Sequence, residues 1–190
     1  MDLQISVFLL FLLFTAGHSL RCYECWSQTG SCANQKETAC PAGSSSCFSS
    51  TGVSQVGGIT TKAMSKGCID VCQSASYNYG YARAYSSCCY TDLCNLPDPP
   101  DPVPNGKKCY TCDGNGCSKT LSCTGNEDRC FTITDNIEGP LRVGKGCLSK
   151  NLCDASSYSC CDGNLCNGAQ SVTQSFLFLC CSLLSYFLLH

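Results

Sequence analysis

Cysteine carries most of the chemistry available to this chain. There are 22 in 190 residues, a fraction that means cross-links or metal. Cys22/Cys25 and Cys109/Cys112 have Cys-x-x-Cys spacing, which suits a zinc clasp or a dithiol redox pair. Both uses require reduced thiols, and the pattern argues for oxidised ones. Twenty cysteines fall into two sets of ten, and each set ends in an adjacent pair, four residues, a Cys and an Asn. The endings are Cys88-Cys89 to Cys94-Asn95 and Cys160-Cys161 to Cys166-Asn167. Even sets at matching spacings belong to an oxidising compartment. A redox pair would also want a low-pKa thiol at a helix start, and no helical period is visible. Neither metal nor cofactor is expected.

Other chemistries are thin. The two histidines are His18 and His190, both in segments expected to be removed, which leaves no imidazole base, nucleophile partner or metal ligand. There is no Gly-x-Ser-x-Gly elbow. Glu127 and Asp128 read as a solvated charged pair on a loop. The chain is therefore expected not to be an enzyme. Its formal net charge is −2, with no basic run to attract nucleic acid or anionic lipid.

One stretch has the composition of a contact surface. Tyr77-Asn78-Tyr79-Gly80-Tyr81-Ala82-Arg83-Ala84-Tyr85 holds four of the nine tyrosines. If extended, Tyr77, Tyr79, Tyr81, Arg83 and Tyr85 share one face, and Tyr and Arg are the types enriched at binding hot spots. The competing readings are that the rings cover neighbouring strands, and that Gly80 makes a turn and splits the face.

The elements that must hold these residues are short strands. Residues 1–19 read as a signal peptide, with an apolar run too short to span a bilayer. The first module, 20–95, has a polar loop from Trp26 to Ala39 and a hairpin of Cys47–Val53 and Ile59–Gly67 turning at Gly57-Gly58. Residues 96–106 hold five of the seven prolines and read as an extended spacer that keeps the modules apart. The second module, 107–167, repeats the first: Lys145-Gly146-Cys147 echoes Lys66-Gly67-Cys68. Its hairpin is read over Cys130–Thr134 and Leu141–Gly146, turning around Asn136–Pro140. Its third loop is cut to six residues between Cys153 and Cys160. Residues 168–190 offer small residues, a polar spacer and an apolar tail with Cys180 and Cys181, the layout of a glycosylphosphatidylinositol attachment signal, with Asn167 or Gly168 as attachment residue. Modules of about 60–75 residues cannot bury a comfortable core, and disulfides at ~2–4 kcal/mol each make up the deficit.

Ten cysteines can pair in roughly 945 ways, so spacing leaves connectivity open. The order Cys-x-x-Cys, spaced cysteines and Cys-Cys-x-x-x-x-Cys-Asn, present twice, resembles the three-finger domain of the lymphocyte-antigen-6/urokinase-receptor family, whose fold is shared with snake neurotoxins. The likeness covers both modules. It is nearest to two-domain members, such as urokinase-receptor-like surface proteins of fish and phospholipase inhibitors of snake plasma. Asn105-Gly106-Lys107-Lys108-Cys109 and the run Cys123 to Cys130 carry that nearer likeness. The resemblance implies an all-β, disulfide-rich chain of two tandem three-finger (snake-toxin-like) domains. It implies the pairs Cys22–Cys47, Cys25–Cys32, Cys40–Cys68, Cys72–Cys88 and Cys89–Cys94, then Cys109–Cys130, Cys112–Cys117, Cys123–Cys147, Cys153–Cys160 and Cys161–Cys166. It also implies that the Asn95 and Asn167 amides clamp backbone at the base of the fingers. The expected function is non-enzymatic binding of an extracellular protein ligand at the cell surface, on a lipid anchor, with no nucleic acid partner. The alternative is a secreted inhibitor of an extracellular enzyme such as a phospholipase.

Overall fold

A computed structural model describes residues 19–135, 142–154 and 158–168. The first module contributes β1 (Arg21–Ser27), β2 (Lys36–Ala39), β3 (Ser46–Val56), β4 (Ile59–Ile69), β5 (Ala75–Asn78) and β6 (Ala82–Cys89). The second contributes β7 (Pro104–Asp113), β8 (Gly116–Thr124), β9 (Arg129–Asp135), β10 (Arg142–Leu148), a one-turn helix α1 (Lys150–Asp154) and β11 (Ser159–Cys161). Each module is thus a set of hairpin fingers rising from a cysteine-bound base. The first module's middle finger, β3–β4, turns at Gly57 and Gly58, with φ of 59° and 80°. Two consecutive left-handed residues match the twist of a hairpin, and glycine takes them without strain. The tip of the second module's middle finger, expected around Asn136–Pro140, lies outside the described residues, as do most of the signal and anchor segments.

Three local expectations change. Lys36–Ala39, read as loop, pairs with β1 through Arg21↔Ala39 to Glu24↔Lys36. The short helix α1 is real but too brief to show a period. Strand β7 starts at Pro104, inside the stretch read as spacer, where Pro104 sits opposite Thr124. The partnership is tolerable because β7–β8 is a two-stranded sheet with open edges, where proline costs no ladder bond.

The larger change concerns how the modules meet. Nine strands form one sheet in the order β11-β9-β10-β5-β6-β3-β4-β1-β2, while β7–β8 forms a sheet of its own. The seam is β5 of the first module beside β10 of the second, antiparallel, with Asn78 opposite Cys147 and Tyr77 opposite Leu148. In the first module the outer edge of β4 is taken by its own β1. In the second, the corresponding edge of β10 is taken by the first module's third finger.

Glycine permits this. A side-chain carbon at Gly146 would lie 2.0 Å from the Asn78 carbonyl oxygen and 3.0 Å from the Phe131 ring. The matching Gly67 meets only the Phe48 ring, at 3.3 Å. The shared Lys-Gly-Cys tripeptide therefore accommodates an aromatic ring in both modules and a foreign strand in one. Beyond the seam, Ser149 N–H donates to Ser76 O (2.9 Å), Ser76 N–H to Ser149 Oγ (3.2 Å), and Asn126 and Asn151 amides to Ser74 O (3.2 Å each).

The proline-rich stretch is correspondingly not a free spacer. Lys66 is 2% exposed, and its ammonium reaches Gln35 Oε1 (2.8 Å), Leu96 O (2.9 Å) and Asp98 Oδ1 (2.8 Å). All three of its protons have acceptors, which is what a buried cation needs. Further on, Asp101 accepts from Tyr85 Oη (2.8 Å) and pairs with Lys62 (3.4 Å). The stretch lies strapped along the first module and hands the chain to the second.

Candidate functional site

The base of each module is built on sulfur. The disulfides are Cys22–Cys47, Cys25–Cys32, Cys40–Cys68, Cys72–Cys88 and Cys89–Cys94 in the first module. In the second they are Cys109–Cys130, Cys112–Cys117, Cys123–Cys147, Cys153–Cys160 and Cys161–Cys166. Buried cysteines make up most of both cores, with Met64, Phe131 and Leu148 the other fully buried apolar side chains among the described residues. The sulfurs of Cys22, Cys40 and Cys68, and of Cys109, Cys123 and Cys147, converge within 4.8 Å. Every one is in a disulfide, so these clusters offer no thiolate.

The closing loop locks onto this base twice over. Asn95 Oδ1 accepts from Tyr23 N (2.8 Å), and its amide donates to Tyr23 O (2.8 Å) and Phe48 O (3.1 Å). Asn167 does the same with Tyr110 N (2.8 Å), Tyr110 O (2.9 Å) and Phe131 O (2.9 Å). Each amide ties the first strand to the middle finger, and a buried backbone group left unpaired costs ~1–3 kcal/mol. A second lock was missed at the sequence level. Leu93 and Leu165 stand at φ 56° and 58°, a conformation that ordinary side chains avoid. Their N–H groups donate to Arg21 O and Lys108 O, both at 2.7 Å. The preceding Asp92 and Asn164 side chains accept from the same two residues' N–H groups at 2.9 Å. The signal was present: both modules read Asp or Asn, then Leu-Cys-Asn.

The tyrosine stretch folds as a hairpin, not as one extended face. Gly80, at φ 88°, starts its turn, and Tyr77 then faces Ala84 while Asn78 faces Arg83. Opposed residues share a face, so Tyr77 and Tyr79 lie on one side, Arg83 and Tyr85 on the other. Tyr79 packs its ring 4.9 Å from Phe131, and its hydroxyl sits 3.1 Å from that of Tyr158. Burial, and then that hydroxyl contact, pushes the Tyr79 phenol well above its ordinary pKa. Tyr85 is held by Asp101 in the strap, and burial raises its phenol. The Tyr85 hydroxyl, assisted by Lys62, holds the Asp101 carboxyl below the usual range. Of the five residues, Tyr81 is the most exposed at 57%, with Tyr77 next at 37%, and the inner side of the Tyr81 ring lies 5.9 Å from that of Tyr79.

Tyr81 stands on the rim of a cleft of about 560 Å³ between the modules. Gln55 of the middle finger and Gly80 form one wall. Thr111 to Gly114 and Lys119 to Leu121, from the β7–β8 hairpin, form the other. A neighbouring hollow of about 440 Å³ adds Val53, Thr60, Arg83 and Ser122. The walls are held at their distance by Thr111 Oγ1 donating to Tyr79 O. Gly80 presses closely on the same threonine, where a side-chain carbon would meet Oγ1 at 3.1 Å. Above the cleft, Val56 and Ile59 face each other across the middle finger's tip, 71% and 69% exposed. A concave, partly apolar site with a rim of polar and aromatic groups suits a protein segment.

Glu127 is not the solvated loop residue expected. It is 1% exposed, and accepts from Thr124 N (2.7 Å) and Thr124 Oγ1 (3.2 Å). Burial pushes its carboxyl up to about 7, against the pull of those donors and of Arg83 across the seam. The neighbouring Asp128 does stay exposed and accepts from Lys150 N (2.8 Å), at the start of α1.

The sequence pattern of the u-PAR/Ly-6 domain matches residues 18–97. Prostate stem cell antigen of Mus musculus is 36% identical over 88 residues, which cover 45% of this chain and 68% of that protein. The chain belongs to the u-PAR/Ly-6 family. Within the family, urokinase plasminogen activator surface receptor of Rattus norvegicus is 27% identical over 205 aligned positions, covering 90% of this chain and 62% of the receptor. Lymphocyte antigen 6E of Gallus gallus is 33% identical over 79, covering 42% of this chain and 63% of the antigen. The chain thus spans about three-fifths of the length of these last two relatives. The receptor match runs through both modules, as two tandem u-PAR/Ly-6 folds require. No helix among the described residues is long and apolar enough to cross a membrane.

Proposed function

We propose that this protein is a non-enzymatic, glycosylphosphatidylinositol-anchored surface protein that binds an extracellular protein ligand in the cleft between its two modules. The observation that carries the reading is the cleft itself. Two modules, bounded as 20–95 and 107–167, are fused by a strand pair, and the fusion leaves a concave site with an exposed aromatic, Tyr81, on its rim. Kinship with a surface receptor for urokinase plasminogen activator supports a protein ligand and a place outside the cell. The tail, residues 168–190, has the layout of an anchor signal. Of the two attachment residues, Asn167 is 5% exposed and committed to the clamp. That favours Gly168, one residue beyond it. Of the five residues of the tyrosine stretch, Tyr81 and Arg83 are assigned to the contact surface with the cleft, since Tyr79 packs at the seam and Tyr85 bonds Asp101.

Two measurements test this. Phosphatidylinositol-specific phospholipase C should release the protein from expressing cells. The released chain should capture a surface or extracellular protein, and the double variant Tyr81→Ala, Lys119→Ala, at two exposed residues of the cleft, should lose that capture at an unchanged melting temperature. Truncating such residues costs ~2 kcal/mol or more at a hot spot. Capture unaffected by the double variant moves the contact to the exposed tip at Val56 and Ile59.

A further inference from the structure

The chain contains three Asn-Gly pairs: Asn105-Gly106, Asn115-Gly116 and Asn167-Gly168. Asn followed by Gly is the dipeptide most open to intramolecular attack on the side-chain amide, because glycine puts no side chain in the way. Whether attack occurs depends on whether the amide is free to swing toward the next backbone nitrogen.

Two of the three amides are held. Asn105 donates to Gly125 O and Glu127 O (3.0 Å each) and accepts from Lys107 N (3.0 Å). Asn167 is the three-bonded clamp of the second module. Swinging either amide breaks three hydrogen bonds. Asn115 differs. It sits with Gly116 at the tip of the β7–β8 hairpin, both exposed. Its backbone N–H is taken by Asp113 Oδ1 (2.9 Å), while among the described residues its side-chain amide has no partner. Exposure alone does not separate the sites, since Asn105 is exposed too. Hydrogen bonding does. Gly116, at φ 147°, has open space around its α-carbon: the Asp113–Gly116 pair and the Cys112–Cys117 disulfide hold the backbone of the tip, but nothing among the described residues holds the Asn115 amide.

We propose that Asn115 is a site of spontaneous deamidation, the unprotected one of the three pairs, and that the finger tip beside the cleft converts with age to an aspartate–isoaspartate mixture. The deprotonated Gly116 nitrogen attacks the Asn115 side-chain carbonyl carbon. A C–N bond forms, a cyclic imide closes, and the side-chain nitrogen leaves as ammonia, its two hydrogens joined by one proton that replaces the one the Gly116 nitrogen gave up. Water then adds to either imide carbonyl. Opening at one gives aspartate; opening at the other gives isoaspartate, which lengthens the backbone by one carbon. No oxidant or enzyme is needed. The product places a new negative charge two residues from Asp113, which lines the cleft. The proposal stands without the ligand-binding reading.

The test is peptide mapping with isoaspartate detection after incubating the disulfide-bonded chain in mildly alkaline buffer at physiological temperature. A reduced and alkylated sample is incubated beside it. The expected result is conversion at Asn115 alone in the native chain, and at all three pairs once the fold is gone. Asn115→Gln should abolish the native signal, because the longer side chain closes its ring poorly. Three outcomes overturn the proposal: an intact Asn115 in the native chain, equal conversion of Asn105 or Asn167 there, or a native signal that survives Asn115→Gln.

Discussion

At the scale of single residues, the chain keeps polar groups where a larger domain would keep leucine and phenylalanine. Lys66, Asn95, Glu127 and Asn167 are all buried, and all but Glu127 have their protons fully matched. Glu127 is the residue at which pH should be felt. Its carboxyl titrates near 7 in the folded chain against an ordinary 4.5, with burial the cause. A raised folded pKa means that folding favours the protonated form. That contribution is complete below about 4.5 and is lost as pH rises through about 7, a change of about 3 kcal/mol. The chain should melt at a higher temperature near pH 5 than near pH 8. Glu127→Gln, which fixes the neutral state, should flatten the difference. The lowered carboxyls of Asp101 and Asp162 act only at more acid pH and do not enter this window. A wild-type melting temperature that is level across it would contradict the assignment.

At the scale of elements, the proline-rich stretch and the third finger do more than connect. Composition makes 96–103 stiff, but stiffness does not say where a segment lies. Lys66 decides that by offering a buried ammonium to Leu96 O and Asp98. Lys66→Met keeps the volume and removes the donors. It takes the ammonium from Gln35 Oε1 and Asp98, while Leu96 O keeps the Gln35 amide as a donor (3.1 Å), at a cost of ~1–3 kcal/mol. The strap should then lift, and backbone amide exchange at Leu96, Asp98 and Asp101 should be faster than in the wild type, while both modules stay folded. Equal exchange rates would show the strap to be held by Asp101, Tyr85 and Lys62 instead.

At the scale of the whole molecule, the strand pair β5–β10 turns two small modules into one body. Phe131 and Leu148, two of the three non-cysteine apolar residues fully buried among those described, lie at that seam. The second module therefore completes its core against the first module's third finger, as a domain too small to build its own must. Backbone relaxation measured by NMR should give the two modules a single rotational correlation time. Gly146→Val should separate the modules, because any side chain there meets the Asn78 carbonyl at 2.0 Å. The expected result is two shorter correlation times with the disulfides intact. A variant that still tumbles as one unit would show that the aromatic cluster of Tyr79, Phe131 and Tyr158 suffices without the strand pair.

What the sequence determined by itself was what is local and repeated. Ten cysteines per module, closing each time on Cys-Asn, specify an oxidised chain of short strands. The Gly57-Gly58 turn could be read directly, because it rests on the backbone preferences of two adjacent residues. The pairing of the cysteines was not in the spacing, and came from likeness to a family. The tertiary structure decided everything that depends on one module meeting the other. Tyr79 and Tyr81 are the same residue type two positions apart, yet one is consumed at the seam and the other left on a rim. No local preference separates them: the difference lies in Gly80, which turns the chain, and in Phe131 and Tyr158, which are over fifty residues away. Glu127 likewise carries no mark of burial in its neighbours Asn126 and Asp128. Its environment is made by Thr124 beneath it and by a first-module finger that reaches across, and long-range contacts of that kind leave no period in a sequence.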